Sequence, residues 1–302
     1  MFVVEMFAVS SFNTEEVHPW NNPRQKTSKT IDFPQTYVAP PRLVTGLKSL
    51  DMRGGTSTTD IGIALFKPFG VRSNTNLRVK AYPSGTDSKR YTANIDTWYD
   101  TTLYSACTDT LILGPANLDV LCGQFSTEED HLWNLPKPQT SRRINFERPF
   151  TTPPKVVVFL NQFDSSGSST RVKTYTSGVD AKGFTIHIDT WADTTLYSAT
   201  AGWVAYPEDK EFIYSGTANT TEIRPWQQPQ TLHSKRVTFG SRPFVQPPKV
   251  FVALNSIDIS TDTNLRVRAY VSGVNPESMS WHIDSWADTK LWSAGISYIA
   301  FN

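Results

Sequence analysis

Two cysteines in 302 residues, Cys107 and Cys122, are too few to staple a domain. Both read as lying in the first repeat and the other repeats as holding none, so the fold is expected not to depend on disulfides. Neither charge is in excess: 29 Lys and Arg stand against 28 Asp and Glu, a formal +1. That leaves no basic field for nucleic acid or anionic lipid, and neither is expected as a partner. No apolar run approaches the ~20 residues that span a bilayer, so membrane insertion is not expected either. The opening M-F-V-V-E-M-F-A-V-S has an acid in its short apolar run and no basic start, and reads as a poor secretory signal. The five histidines, His18, His131, His187, His233 and His282, fall singly, and no cysteine pair has ligand spacing. The chain has no P-loop, no G-x-G-x-x-G and no G-x-S-x-G. No metal and no cofactor is expected.

What the chain does have is a stretch written three times. Phe184 to Tyr206 reads F-T-I-H-I-D-T-W-A-D-T-T-L-Y-S-A-T-A-G-W-V-A-Y, and Met279 to Phe301 repeats it closely. An earlier copy starts near Tyr91, and the tryptophans of I-D-[TS]-W are Trp98, Trp191 and Trp286. Their spacings of 93 and 95 are too long for a solenoid of about 20–50 residues per repeat and indicate whole domains. Three units are expected, 1–118, 119–210 and 211–302, each large enough for one small core. Ile186 and Ile188 share one face while His187, Asp189 and Trp191 take the other, the period of a half-buried strand. A-D-T-T then reads as a polar turn, and the aromatic-rich run from Leu196 as the second strand of a hairpin.

Each unit opens with a polar lead and Trp-x-x-Pro, at Trp20, Trp133 and Trp226. A phenylalanine follows thirteen residues on, then a Pro-Pro elbow (Pro40-Pro41, Pro153-Pro154, Pro247-Pro248) that no ladder tolerates. The apolar strand beyond it leads to Asp51, Asp164 or Asp258, read as the start of a loop. An Arg-Val strand comes next, from Arg78, Arg171 or Arg266. Five or six short antiparallel strands per unit make the chain all-β, three tandem antiparallel sandwiches. The first unit departs from the pattern. Asp51 to Arg78 is 27 residues, against 7 and 8 in the others. The extra stretch, about Arg53 to Val71, reads either as a long surface loop or as a retained intron. The first unit also lacks the aromatic that Trp203 and Tyr298 supply in the last strand.

Asp189 and Asp193, repeated as Asp284 and Asp288, bracket a turn and suit turn formation better than a glycosidase pair. No catalytic residue is assigned, and the chain is not expected to be an enzyme. The sequon Asn219-Thr220-Thr221 matters only to a secreted protein. The repeated set of arginine, loop aspartate, tryptophan and a second ring suits a neutral sugar. A guanidinium forks onto vicinal hydroxyls, an acid accepts from them, and a ring covers the apolar C–H face. The bland reading is that the arginine merely pairs with the aspartate on the sheet.

The order x-x-x-Asp, loop, Asn-Leu-Arg-Val, Thr-Trp-x-x-Thr-x-x-Tyr-Ser and a last aromatic strand resembles the H-type lectin domain across most of each unit. The resemblance implies a six-stranded antiparallel sandwich that assembles in threes, a metal-free sugar site between neighbours, and galactose or N-acetylgalactosamine as ligand. It implies sugar contacts from Arg78, Trp98 and Tyr104; from Arg171, Trp191 and Tyr197; and from Arg266, Trp286 and Trp292. The residue after the tryptophan, a histidine in the snail agglutinin of that family, is Tyr99, Ala192 or Ala287 here. The acid that a neighbour would add falls on Asn22, Leu135 and Gln228. The expectation is a multivalent lectin for glycans or glycoconjugates. It would be a monomer folded as a pseudo-threefold trimer, the segment 207–223 letting one unit reach its neighbour. The alternatives are an adhesion or structural protein that docks proteins without sugar, and an accessory module of a glycan-degrading enzyme.

Overall fold

The computed structural model describes residues 7–54, 76–240 and 243–302. Of the extra stretch in the first unit, residues 55–71 lie outside the described residues. Among the described residues, each unit holds six strands. The first has β1 (Phe7–Asn13), β2 (Lys26–Asp32), β3 (Arg42–Met52), β4 (Leu77–Ser84), β5 (Arg90–Asp96) and β6 (Leu103–Leu113). The second has β7 (Leu121–Ser126), β8 (Gln139–Asn145), β9 (Lys155–Ser166), β10 (Ser169–Asp180), β11 (Gly183–Asp189) and β12 (Thr195–Tyr206). The third has β13 (Ile213–Asn219), β14 (Ser234–Thr238), β15 (Lys249–Ser260), β16 (Leu265–Ser272), β17 (Ser278–Asp284) and β18 (Leu291–Phe301).

The alternation in the repeated hairpin is carried through to packing. Ile186 and Ile188 of β11 are buried while His187 and Asp189 are half-exposed. The hydrophobic effect fixes the register, because a slip of one residue would turn both isoleucines to water. His187 lies flat on Tyr175, with centroids 4.4 Å apart, and His282 on Tyr270 in the same way.

No six-stranded sheet belongs to one unit. The sheet orders are β1-β6-β3-β16-β17-β14, β2-β5-β4-β9-β12-β7 and β13-β18-β15-β10-β11-β8, all pairs antiparallel. Three strands of each unit therefore continue into three strands of another, through the pairings β4–β9, β10–β15 and β16–β3. We call these seams 1–2, 2–3 and 3–1. The apolar starts of β3, β9 and β15 touch one another at the centre, where Phe159 and Phe251 lie 4.8 Å apart. Gly46, Phe159 and Ala253 hold matching places there, and a Cβ on Gly46 would come within 2.4 Å of the Ala253 Cβ. Two small residues leave room for one large ring.

Three sequence expectations change. Asp51, Asp164 and Asp258 are strand residues near the ends of β3, β9 and β15, not loop residues, because pairing with the next unit extends those strands past the apolar run. Cys122 belongs to the second unit, in β7, where it faces Val204. Burial raises both thiols, Cys107 to about 11. Part of the opening stretch is β1, paired with β6, and the segment 207–223 is largely β13 and a short turn. Only residues 114–120 and 207–212 connect one unit to the next.

Candidate functional site

The D-T-W-x-D-T-T hairpin holds the arginine strand in place. Thr97 and Thr190 donate to the carbonyls of Arg78 and Arg171 at 2.7 Å. In the third unit Ser285 stands there, and its buried hydroxyl has no hydrogen-bond partner among the described residues. Thr101, Thr194 and Thr289 donate to the carbonyls of Asn76, Ser169 and Asn264 at 2.6–2.7 Å. The turn is thus tied to the neighbouring strand at two points, which fixes where the arginine and the tryptophan project. Asp96 and Asp189 each accept a tyrosine hydroxyl at 2.9 Å, from Tyr82 and Tyr175, so Asp189 has a structural partner. The residue after each tryptophan sits in the left-handed region, Tyr99 at φ 61° and Ala192 and Ala287 at 55°. Side chains rarely take that conformation, and its repetition marks a constrained corner.

Each arginine lies between two carboxylates. From its own hairpin it meets Asp100, Asp193 (2.5 Å) or Asp288 (2.6 Å). From the next unit it meets Asp164 (3.3 Å), Asp258 (3.3 Å) or Asp51 (3.4 Å), the residue directly opposite across the seam. Burial raises Asp51, Asp164 and Asp258 above the ordinary carboxylate range, and the opposing arginine pulls against that shift. Asp193 goes the other way, to about 2, because Ser168 and Arg171 donate to it.

The rings complete the arrangement from the far side of each seam. At seam 1–2, Arg78, Trp98 and Tyr99 share a cleft of about 470 Å³ with Glu128, Trp133, Asp164 and Tyr197. At seam 2–3, Arg171, Trp191 and Ala192 share one of about 580 Å³ with Thr221, Trp226, Asp258 and Trp292. At seam 3–1, Arg266 meets Asp51, Glu15 is near enough to affect that acid, and Trp20 packs edge-on against Tyr104. Trp286 is half-buried on the Arg266 hairpin. The residues grouped by unit in the sequence are therefore separated. Tyr197 lies with Arg78 and Trp292 with Arg171, while Tyr104 lies on the unit that supplies Asp51 to Arg266. A larger cleft, about 710 Å³, lies behind the 207–212 connector, and the described residues that line it include no arginine or tryptophan.

Sequence reasoning missed the Trp-x-x-Pro tryptophans as site residues. Trp20, Trp133 and Trp226 are 57%, 58% and 54% exposed, which no core role explains. Each follows a short 3-10 turn closed by a capping box, Asn13 with Glu16, Ser126 with Glu129 and Asn219 with Glu222. The buried threonine of each turn accepts the backbone N–H of Ala106, Ala199 or Ala294 at 3.1 Å, two residues past Tyr104, Tyr197 or Trp292. That bond places the exposed indole beside the ring. Asn22, Leu135 and Gln228 are exposed, and Leu135 and Gln228 do not line the two clefts above. Glu128 and Thr221 line them instead. The buried His18 and His131 meet Thr27 and Thr140, and in the third unit Arg224 and His233 replace that pair, 2.8 Å apart. Among the described residues, no group of three or more His, Cys, Asp or Glu is placed to hold a metal.

The family model of the H-type lectin domain matches residues 28–109, 141–206 and 234–301, well over half of the chain. No curated protein matches it.

Proposed function

The chain belongs to the H-type lectin domain family, and from that premise we propose that it is a non-enzymatic, multivalent lectin for galactose or N-acetylgalactosamine residues on glycans. Its sugar sites lie at the seams. The observation that supports this reading is the recurring cluster of one arginine between two carboxylates, beside a half-buried or exposed tryptophan and opposite exposed rings of the next unit. The guanidinium and acids match vicinal hydroxyls, and the indoles match the C–H face of a pyranose. The protein is a monomer whose three units take the place of three chains. Linked sites raise avidity for a clustered glycan by about 10²–10⁴ where the spacing fits. Small-angle scattering should give a radius of gyration of about 19 Å. Binding to a glycan array, competed by free galactose or N-acetylgalactosamine, tests the function. An array with no competable signal defeats it.

One observation favours a second reading, a structural or adhesion protein. Arg78, Arg171 and Arg266 each oppose an acid in the seam ladder, as a purely architectural clamp would. Arg171→Lys separates the two. Lysine keeps the charge but cannot fork between Asp193 and Asp258. A lectin loses most binding at that seam with its melt nearly unchanged, whereas a clamp loses stability and no ligand.

A further inference from the structure

The three seams are not copies of one another. At seam 1–2, Glu128 lines the cleft, and its carboxylate has no hydrogen bond or ion pair among the described residues. The matching residue at seam 3–1 is Glu15. At seam 2–3 the place is held by Thr221, whose hydroxyl donates to the Asn219 side chain at 2.7 Å. Two further polar groups are lost at the same seam. Tyr197 of seam 1–2 becomes Trp292, and Tyr99 becomes Ala192. Trp292 packs edge-on to Trp226 at 6.3 Å, and Arg224 holds its carbonyl at 3.0 Å, so an indole pair walls this cleft. Asp262 also lines it, already engaged by a neighbour.

A ligand hydroxyl turned to this corner meets a free carboxylate at seam 1–2. At seam 2–3 it meets an indole and the uncharged Thr221, whose proton already goes to Asn219 and whose oxygen is a weaker acceptor than a carboxylate. Trading a charged acceptor for a neutral one weakens the bond a hydroxyl makes there, while a methyl group is covered by ring. Resting on the lectin reading above, we propose that seam 2–3 is the site for sugars with a methyl group or no substituent where seam 1–2 requires a hydroxyl: 6-deoxyhexoses and methyl ethers against fully hydroxylated hexoses. The determining residues are Glu128 and Tyr197 in one site, Thr221 and Trp292 in the other. One chain then reads two kinds of terminal sugar.

The test uses two chains that each retain one of these seams. Arg171→Ala with Arg266→Ala leaves seam 1–2, and Arg78→Ala with Arg266→Ala leaves seam 2–3. Each is titrated with methyl β-D-galactopyranoside and its monodeoxy analogues, the 6-deoxy sugar included. One analogue should bind seam 1–2 about 10- to 100-fold more weakly than the parent, the loss of a hydrogen bond to a charged acceptor. The same analogue should bind seam 2–3 at least as well as the parent, by up to about fourfold for one buried methyl group. Thr221→Glu with Trp292→Tyr should carry the hydroxyl requirement to seam 2–3. If the arginine variants do not fold, the exchange is made in the otherwise natural chain. There the deoxy sugar should saturate fewer sites than the parent, and the exchange should remove those that remain. One ranking at both seams, or a ranking the exchange leaves alone, overturns the proposal while the lectin reading stands. No binding of any sugar by the natural chain overturns both.

Discussion

A single methyl group at position 46 tests how tightly the three units meet. In Gly46→Ala the new Cβ would lie 2.4 Å from the Ala253 Cβ, 2.9 Å from the Phe159 ring and 3.2 Å from the Phe251 ring. Contacts that short do not occur between real carbons, and all the atoms belong to buried residues of other units, so β3 has to move away from β15 and β9. Overpacking of this kind costs about 1–3 kcal/mol. With an unfolding entropy of about 0.6 kcal/mol/K for 302 residues, the melt should fall by about 2–5 °C. Ala253→Gly removes the nearest obstacle and is mildly destabilising by itself through the added chain freedom of glycine. The two changes together should cost less than their sum by about 1 kcal/mol or more, a coupling expected only of residues in contact. Calorimetry and urea denaturation of the four chains give the cycle. A Gly46→Ala melt within 1 °C of the natural chain, or strict additivity, would refute this account of the centre.

Trp191 is 37% exposed, so Trp191→Ala should remove binding at seam 2–3 and lower stability by about 1 kcal/mol, far below the 3–5 kcal/mol of a buried tryptophan. A melt lowered as for a core cavity would return Trp191 to the core. Acid should act on binding before it acts on the fold. Asp51, Asp164 and Asp258 are raised by burial, so they take up protons at a higher pH than an ordinary aspartate, and native stability is not lost with them. The lowered Asp193 stabilises the fold above its ordinary 3.8, a contribution lost as pH drops towards about 2. Sugar affinity that stays level until the chain unfolds would contradict that order. Ala192→Gly relieves a left-handed alanine and should raise the urea midpoint by an amount equal to about 0.5–1 kcal/mol. An unchanged or lower midpoint would mean the corner is not strained.

The parts of the fold governed by local pattern were legible. Ile186 and Ile188 announced the buried face of β11, and the Pro-Pro elbows announced where β3, β9 and β15 begin. The edge strands β1, β7 and β13 were not. Phe125 of β7 and Ala218 of β13 are buried, but Cys, Gly, Ser and Asn around them give no clear alternation. The arginines and hairpin tryptophans were found because they repeat. Their partners were not assigned, because Asp164 pairs with Arg78 of the preceding unit, 86 residues away, and spacing within a unit carries no trace of that. The capping boxes were readable in Asn13 to Glu16 and its copies. What they position, an exposed indole beside the next unit's ring, depends on a fold that local sequence does not encode.

Because Asp51, Asp164 and Asp258 come from the unit opposite, no unit owns a whole cleft. A cleft exists only while its seam is shut, so occupancy and closure are one linked equilibrium. A ligand at 100 times its Kd that binds only the closed form would hold a seam with about 2.7 kcal/mol. The same linkage runs backwards: whatever loosens one seam weakens ligand there by the free energy of opening. Seams of unequal strength would then fill in a fixed order, and ligand would protect the weakest seam last.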